Sequence, residues 1–322
     1  MSKIVVLGAG AFGTGLAISF AKMGSNVHLW GRDADHRAAM KAAGKNAKRL
    51  PDAPFPPSLQ IIDQFDKIAE DDIVLLSVPM QKMAVFLEEY QEILRNKTLV
   101  SCAKGVDVAT GLGPIETLRA AQLGDRLGIL TGPSFAADIA KGLPTALTIA
   151  CDDQKILDQL QQALSTDNLR LYATLDVIGA ELGGALKNVV AIASGIAIGT
   201  GFGESARAAI ITRGFAEMSR FAVAMGAKGE TLVGLSGLGD LTLTATSTQS
   251  RNYAYGIKIG AGKGLDTLLT VEGAATSHAV AKIARDKGVD MPICQTVSDI
   301  LNEKLSVERA VKTLLARPLG KE

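Results

Sequence analysis

This chain of 322 residues is poor in cysteine, in aromatic residues and in net charge. Its three cysteines, Cys102, Cys151 and Cys294, stand far apart, so we expect neither a disulfide framework nor a metal site, and a reducing compartment is favoured. A formal net charge of +1 gives no electrostatic reason to expect nucleic acid or an anionic membrane surface as a partner. Hydrophobic residues at 47% and charged residues at 21% are instead typical of a soluble globular protein.

Targeting signals and long hydrophobic runs are also missing. The N-terminal segment MSKIVVLGAG lacks a basic stretch followed by a long apolar one, so we expect no secretory signal. The longest apolar run, from Val189 to Gly199, is too short to span a bilayer and contains Ser194. These absences predict a cytoplasmic protein without an integral membrane segment.

What the sequence does contain is a change of pattern along its length. Up to about Leu175, short β-branched runs alternate with helical patterns, which predicts βαβ units and a parallel sheet. Beyond this point, long patterns rich in Ala, Gly, Leu and Ile predict helices only. We therefore expect an α/β fold, with a Rossmann-type parallel-sheet domain over residues 1–176 and an all-helical domain over residues 177–322.

A glycine-rich turn follows the first predicted strand. Gly8, Gly10 and Gly13 form a complete G-x-G-x-x-G directly after KIVVL and at the start of a helical pattern. In this context the first glycine allows a tight turn, the second lets the backbone approach a pyrophosphate, and the third lets helix and strand pack closely. The pattern predicts a dinucleotide site at the helix N-terminus, and the alternative is a plain βα corner.

The end of the second predicted strand bears on the choice of coenzyme. Units that bind NAD usually place an acidic residue there, whereas HLWGRD has Gly31 followed by Arg32. An arginine suits a 2′-phosphate, so we expect NADP to be preferred, while Asp33 leaves NAD open. The alternative for Arg32 and Asp33 is a solvated surface turn.

Two segments at the ends of predicted strands carry groups suited to an anionic ligand. Lys104 ends an apolar strand in SCAKG, at the sheet edge where open α/β folds bind their ligands. The turn Gly132-Pro133-Ser134 follows the strand LGIL and leads into a predicted helix, so it offers N–H groups and a hydroxyl.

A third polar segment lies in the helical half. Gly234–Gly256 is so rich in glycine and hydroxyl residues that we expect an ordered loop. Near its end, Ser250, Arg251 and Asn252 precede a predicted helix and together suit a phosphate monoester. The alternative for these three residues is a surface N-cap with a solvated arginine.

Lys187 stands in the middle of a small, apolar helical pattern, ELGGALKNVVAIASGIAIG. A lysine is rarely buried without a partner, yet no carboxylate lies at its i±3 or i±4 neighbours. Gly183 and Gly184 leave room for a ligand or another backbone to approach the amine, and Asp240 is a candidate partner from a distant segment. We expect Lys187 to exchange a proton with a substrate hydroxyl, and the alternative is a lysine that snorkels at the helix edge.

Eight segments occur in a characteristic order: GAGAFGTGLA, SVPMQ, SCAKG, TGPSFA, ELGGALKNVVAIASGIA, GLGDLTLTATS, SRNYAYG and VEG. Together they resemble the bacterial NAD(P)-dependent glycerol-3-phosphate dehydrogenases, from Lys3 to about Leu301. The resemblance implies hydride transfer between NAD(P)H and dihydroxyacetone phosphate, which gives sn-glycerol 3-phosphate for phospholipid synthesis, with Lys187 as general acid and base. The helical domain is also compatible with a homodimer.

The resemblance implies the remaining site residues as well. For the substrate these are Lys104, Gly132, Ser134, Asp240, Ser250, Arg251 and Asn252. For the coenzyme they are Gly8, Gly10, Ala11, Phe12, Gly13, Arg32, Lys104, Ala136, Arg251 and Glu272. Ala11 and Phe12 depart from the Ser-Trp common in this family, so we expect the lost hydroxyl to weaken one phosphate contact, while Phe12 keeps the aromatic wall.

Two other functions stay open from the residues alone. A related dehydrogenase of a hydroxy acid or a sugar acid phosphate would keep the architecture and would need a carboxylate clamp. A nucleotide sensor would use the first domain without chemistry, although a lysine in a glycine-lined patch is a costly feature for a sensor.

Overall fold

A computed structural model describes residues 3–264 and 271–315 of the chain. Its internal contacts divide the protein into two compact units. Unit 1 runs to Lys104 and resumes over Leu112–Glu181, whereas unit 2 comprises Gly105–Gly111 and the chain from Leu182 onward. The division falls inside a helix, a little beyond the boundary expected after residue 176, and that boundary stays a prediction.

Within the described residues, unit 1 contains one sheet of eight strands in the order β3-β2-β1-β4-β5-β6-β7-β8. All neighbouring strands are parallel except β6 and β7, which are antiparallel. The strands are β1 (Ile4–Leu7), β2 (Val27–Trp30), β3 (Leu59–Ile61), β4 (Ile73–Leu76), β5 (Thr98–Ser101), β6 (Leu127–Thr131), β7 (Thr145–Ala150) and β8 (Leu169–Thr174).

Helices cover both faces of this sheet. They are α1 (Ala11–Lys22), α2 (Ala34–Ala43), α3 (Met80–Glu89), α4 (Gln91–Leu94), α5 (Pro114–Ala120), α6 (Ala136–Lys141) and α7 (Gln154–Leu164). Successive side chains of a strand point to opposite faces, so Val6 of β1 joins one apolar core and Val5 joins the other. Because both faces are covered, the central strands are continuous apolar runs, as in IVVL and IVLL.

In the part of unit 2 that the structure describes, the regular secondary structure is helical, whereas Gly105–Gly111 is turn and coil. Its helices are α8 (Val177–Gly199, which begins in unit 1), α9 (Gly203–Ala224), α10 (Gly229–Leu232), a π-helix (Leu235–Gly239), α11 (Asp240–Thr246), α12 (Arg251–Gly260), α13 (Glu272–Lys287), α14 (Pro292–Leu301) and α15 (Val307–Leu315). The two units therefore confirm the expected fold class, a parallel-sheet domain followed by a helical one, apart from the antiparallel β6–β7 pair.

The long helix α8 packs directly against α12 through glycines. A Cβ placed on Gly195 would be 3.0 Å from the Gly256 Cα and would overlap the Tyr253 carbonyl oxygen. Gly199 and Gly260 are equally close to the backbone of the opposite helix. By length and composition α8 is long and apolar enough to cross a membrane, but 78% of its most apolar window is buried inside the protein, as in the core helix of a globular unit.

The expectation of an ordered loop over Gly234–Gly256 is wrong, because the π-helix, α11 and the start of α12 occupy it. The hydroxyls that disfavour helix in an isolated chain here donate to carbonyls four residues back, from Thr242 to Leu238 at 2.8 Å and from Thr246 to Thr242 at 2.7 Å. Gly237 is needed because a Cβ there would overlap the Leu232 carbonyl oxygen. Tertiary packing thus overrides the local preferences of this segment.

Glu217 of α9 supplies a stability prediction. Its buried carboxylate accepts hydrogen bonds from the backbone N–H of Ile293, at 2.8 Å and 3.0 Å to its two oxygens, and of Cys294 at 3.2 Å, which caps the start of α14. Burial raises the pKa of Glu217 from 4.5 to about 7, against the opposing effect of these N–H groups. Between those pH values the native state therefore holds a proton that the unfolded chain has lost, so stability falls as pH rises.

We expect Glu217→Gln to flatten the decline in unfolding free energy between about pH 4.5 and pH 7 by at most about 1.4 kcal/mol per pH unit. Urea titrations at several pH values would measure this slope for the wild type, for Glu217→Gln and for the exposed control Glu230→Gln. Equal slopes for all three proteins would contradict the assignment. Some slope should persist in Glu217→Gln, because burial also raises the pKa of Glu181 to about 7.

Candidate active site

The glycine turn of unit 1 links the carboxyl end of β1 to the first turn of α1. Gly8 has φ +121°, and a Cβ there would overlap the carbonyl oxygen of Ser77. At Gly13 a Cβ would overlap the Gly8 carbonyl oxygen and would lie 2.8 Å from the Ser77 hydroxyl oxygen. These two glycines are therefore required by the close approach of β1, α1 and the end of β4.

Gly10 differs from both, because it is exposed and no atom of the described residues lies within 4 Å of the position that a Cβ would take. It is the N-cap of α1, and the first turn of that helix contains no acidic residue. Ala11 and Phe12 follow it, half-buried against the core of unit 1. The open space and the helix N-terminus together fit the pyrophosphate of a dinucleotide.

Asn46 holds this turn from the side, and the sequence analysis did not identify it. Its fully buried side chain donates to the Ala9 carbonyl oxygen at 3.1 Å and to the Thr14 hydroxyl at 2.8 Å. Its amide oxygen lies 3.0 Å from Nε2 of His36 on α2. An asparagine in an irregular segment carries no sequence signal for such a role.

The turn after β2 places its two charged residues differently. Arg32 is exposed, whereas Asp33 is the N-cap of α2 and accepts hydrogen bonds from the backbone N–H of Asp35 at 3.0 Å and of His36 at 3.2 Å. Gly31 is buried, and a Cβ there would lie 3.0 Å from the Ala9 Cβ. The carboxylate nearest to Arg32 in sequence is thus already engaged in a helix cap.

The structure brings three of the predicted substrate residues together in unit 1. Lys104 follows β5, and its Nζ donates to the Gly132 carbonyl oxygen at 3.1 Å. Ser134 donates to the same oxygen at 3.3 Å. Gly132 itself has φ +129°, so the turn after β6 depends on a glycine.

Ala136, predicted to contact the coenzyme, begins α6 beside α1. A Cβ on Gly15 of α1 would be only 2.8 Å from the Ala136 carbonyl oxygen. The predicted coenzyme residues of the glycine turn and of α6 therefore belong to one packed group in unit 1.

In unit 2 the amine of Lys187 is buried and paired. Its side chain is 8% exposed, and Nζ lies 3.1 Å from Oδ1 of Asp240, whose side chain is 2% exposed. Nζ also donates to the Thr244 hydroxyl at 2.7 Å, and that hydroxyl lies 3.2 Å from the same Asp240 oxygen. Lys187 therefore does not snorkel, and its expected partner Asp240 is the observed one. Thr244 was not identified from the sequence, although it follows Asp240 by one helical turn.

The space left by Gly183 is filled by backbone. A Cβ at this position would be 2.7 Å from the Ser236 carbonyl oxygen of the π-helix. The π-helix thus packs on α8 and leads directly into Asp240. Insertions of this kind are frequent at functional sites.

The Ser-Arg-Asn trio divides into three distinct roles. Ser250 is the buried N-cap of α12 and accepts a hydrogen bond from the Tyr253 backbone N–H at 3.3 Å. Arg251 is exposed on the first turn of that helix. Asn252 is bonded within unit 2. The alternative of a surface N-cap with a solvated arginine therefore fits only in part, because Ser250 caps the helix but is buried, whereas Arg251 is exposed.

Asn252 connects α8, the helix that carries Lys187, to the start of α13. Its amide donates to the side-chain oxygen of Asn188 at 2.9 Å, and its oxygen accepts from the Gly273 backbone N–H at 3.0 Å. Glu272, predicted to contact the coenzyme, is the half-buried first residue of α13 and immediately precedes Gly273. Asn188, which is 1% exposed and adjacent to Lys187, is a further residue that the sequence analysis missed.

Comparison with known proteins identifies the family to which the chain belongs. Residues 3–157 match the model of the NAD-dependent glycerol-3-phosphate dehydrogenase N-terminus, and residues 176–312 match that of the C-terminus. The chain belongs to the NAD-dependent glycerol-3-phosphate dehydrogenase family. The resemblance inferred from the sequence is thereby confirmed.

Individual members of the glycerol-3-phosphate dehydrogenase family match over nearly their full length. The chain is 52% identical to a glycerol-3-phosphate dehydrogenase (NAD(P)+) of Ruegeria sp. over 320 residues, which cover 99% of this chain and 100% of the relative. A protein of the same name from Paracoccus denitrificans is 51% identical with the same coverage. The crystal structure of glycerol-3-phosphate dehydrogenase from Coxiella burnetii superposes with a TM-score of 0.90 at 34% identity, covering 98% of this chain and 99% of that one.

The two kinds of glycine in the nucleotide turn predict opposite outcomes. Gly10→Ala should fold normally but bind NADPH at least about tenfold more weakly, because its methyl group enters the space that fits the pyrophosphate. Gly8→Ala should instead lose about 1–3 kcal/mol of unfolding free energy, because it combines a positive φ with an overlap on Ser77. Titration calorimetry and urea unfolding would measure these effects.

Gly229→Ala is the matched control for both variants, because its added methyl would meet only a Val223 side-chain carbon at 3.9 Å. Wild-type NADPH affinity in Gly10→Ala would argue against a pyrophosphate at this turn.

The buried ion pair also predicts an asymmetry in stability. Asp240→Ala should lower the unfolding free energy by about 3–5 kcal/mol, because it leaves the ammonium of Lys187 buried without its counter-charge. The double variant Lys187→Met with Asp240→Leu should recover most of that loss, since no charge stays buried. Urea unfolding of the wild type and the two variants would measure these differences. A double variant no more stable than Asp240→Ala would contradict the predicted recovery.

Proposed function

We propose that this chain is an NAD(P)-dependent glycerol-3-phosphate dehydrogenase, which reduces dihydroxyacetone phosphate reversibly to sn-glycerol 3-phosphate. The observation that carries the proposal is the buried group of Lys187, Asp240 and Thr244, in a chain whose relatives at about 50% identity bear this name. Burying a lysine and its carboxylate costs desolvation energy even when the two are paired, so a buried pair of this kind is better explained by function than by stability.

Lys187 acts as the general acid in reduction and as the general base in oxidation. In reduction its Nζ donates a proton to the C2 carbonyl oxygen of the substrate as that oxygen becomes an alkoxide. In oxidation it takes the proton of the C2 hydroxyl back. Asp240 and Thr244 hold the amine at 3.1 Å and 2.7 Å, so the donor is fixed before substrate arrives. When bound, the nicotinamide coenzyme would supply the hydride.

The substrate is bound by the groups that the resemblance implies: Lys104, Gly132, Ser134, Asp240, Ser250, Arg251 and Asn252. Their surroundings give these residues different parts. The exposed guanidinium of Arg251 and the amine of Lys104 are suited to the phosphate, since both are cationic. Ser250 caps α12 and contributes by holding the start of that helix in place. Asp240 pairs with Lys187 and contributes by holding its amine in place.

The coenzyme is bound by Gly8, Gly10, Ala11, Phe12, Gly13, Arg32, Lys104, Ala136, Arg251 and Glu272. We propose that NADP is preferred and that NAD is also accepted. The exposed Arg32 supports this preference, as does the helix-capping role of Asp33, which leaves no free acidic side chain in the usual position.

The wider setting is part of the same proposal. Residues 1–176 form the dinucleotide-binding domain and residues 177–322 the substrate-binding domain, in a cytoplasmic homodimer that supplies sn-glycerol 3-phosphate for phospholipid synthesis. The division of labour is supported by the glycine turn in the first part and by Lys187 in the second.

The decisive experiment is the loss of reduced-nicotinamide absorbance with dihydroxyacetone phosphate, run in parallel with NADPH and NADH. We expect turnover with both and a higher kcat/KM with NADPH. Lys187→Met should lower kcat by at least about a hundredfold, because general acid catalysis is lost, while coenzyme affinity is kept. Lys282→Met, at an exposed position on α13, is the control and should match the wild type.

A loss below about tenfold in folded Lys187→Met would contradict the role of this lysine. Absence of turnover with either coenzyme, despite measured coenzyme binding, would overturn the assigned substrate and favour another phosphorylated or carboxylated ketone.

A further inference from the structure

The turn between β2 and α2 is held by an arginine that the site described above does not include. Arg37 lies on the first turns of α2, and its Nη1 donates to the carbonyl oxygens of Gly31 at 2.5 Å and of Arg32 at 3.0 Å. Its guanidinium also lies over the ring of Trp30, 5.9 Å from the centroid. One side chain thus holds the carbonyl groups directly before and directly after the Cα of Arg32.

Two carboxylates near this turn, those of Asp33 and Asp63, are engaged elsewhere. Asp33 caps α2, and Asp63 is bonded to Lys41 at 2.6 Å and lies 3.5 Å from Nε of Arg37. Arg37 has only 12% of its side chain exposed, so its stem is packed and its orientation is set. Neither carboxylate is free to take the place of the acid that binds a ribose 2′-hydroxyl in NAD-specific units.

The carbonyl groups that Arg37 covers bear on the binding of a phosphate. Carbonyl oxygens carry partial negative charge, and two of them turned toward an anion would repel it. Gly31 is buried, so its carbonyl group would also lose its partner if the guanidinium were removed, and the turn would relax to satisfy it. Arg37 therefore does two things at once: it neutralises these carbonyls and it fixes the direction in which Arg32 leaves the backbone.

We propose that Arg37 is a positioning residue for coenzyme choice, which orients Arg32 toward the 2′-phosphate of the adenosine ribose. The inference rests on the coenzyme site of the proposed function and deepens it. It attributes discrimination between the two coenzymes to a pair of arginines, of which only Arg32 touches the phosphate.

The test measures binding of two nicotinamide-free fragments, 2′-phospho-ADP-ribose and ADP-ribose, by titration calorimetry. The wild type should bind the 2′-phosphorylated fragment more tightly. In Arg37→Met the ratio of the two affinities should fall about tenfold, the change that one charge-assisted hydrogen bond typically makes. Arg37→Lys should lose a similar factor, because its single ammonium keeps the charge without the planar fork. Arg95→Met removes an exposed arginine that pairs with Glu92, and should leave the ratio unchanged.

A double-variant cycle distinguishes positioning from direct contact. In an Arg32→Ala background, Arg37→Met should change the ratio no further, because the residue through which it acts is gone. Additive effects would overturn the proposal in favour of a separate phosphate contact. A wild-type ratio in Arg37→Lys would show that charge alone matters, and equal weakening of both fragments would show a merely structural role; either result also overturns it.

The outcome is separable from the proposed reaction. Loss of discrimination in the Arg37 variants, with no turnover of dihydroxyacetone phosphate in the wild type, would support the positioning role and overturn the substrate. Normal turnover with an unchanged ratio would do the reverse.

Discussion

The ion pair between Lys187 and Asp240 sets the conditions that the helical unit must meet. An ammonium group removed from water needs a counter-charge, and α8 offers none at helical spacing. The carboxylate therefore comes from α11, more than fifty positions along the chain. The π-helix that leads into Asp240 packs directly on α8. Position 183 of α8 must therefore be a glycine, because a Cβ there would be 2.7 Å from the Ser236 carbonyl oxygen. A single buried charge thus accounts for an irregular helix and for a glycine in a core helix.

The groups that are predicted to bind ligands differ in kind between the two units. Unit 1 offers mainly backbone: a helix N-terminus, turns with positive φ and carbonyl oxygens covered by long cationic side chains. Unit 2 offers side chains that are buried and bonded to one another, as in Lys187 with Thr244 and Asn252 with Asn188. Backbone N–H groups suit phosphates, which accept hydrogen bonds from many directions, whereas proton transfer needs one group at one position.

Local patterns in the sequence were sufficient for most of the architecture. The glycine turn, the apolar strands and the long helices α8 and α9 follow from periodicity and context, because each has its signal within about twenty residues. The strand β8 carries a weaker sequence signal, because it alternates buried and exposed residues, as in Leu169 and Arg170, and so differs from the apolar runs of the central strands. The segment from Gly234 to Gly256 was misjudged because helix propensity does not include the packing that stabilises it.

The site shows the same division between local and distant information. The sequence identified Lys187 as anomalous and Asp240 as its candidate partner, and the structure pairs them. It gave no indication of Asn46, Thr244 or Asn188, since each acts through a hydrogen bond to a residue that is close only in the folded chain. Short polar residues are common in loops and helix caps, so their identity alone carries little information about such contacts.

The glycine contact between α8 and α12 has a consequence for how precisely the helical unit is built. Gly195 and Gly199 on one helix meet Gly256 and Gly260 on the other, backbone against backbone. The separation of the two helix axes is therefore fixed by bond lengths and van der Waals radii, and no rotamer change can alter it. Arg251 and Asn252 begin α12, and Lys187 lies two turns before Gly195 on α8. The distance between these residues and Lys187 can therefore vary only as much as the backbone itself can move. This rigidity costs no side-chain conformational entropy at the contact, because glycine has no side chain to order.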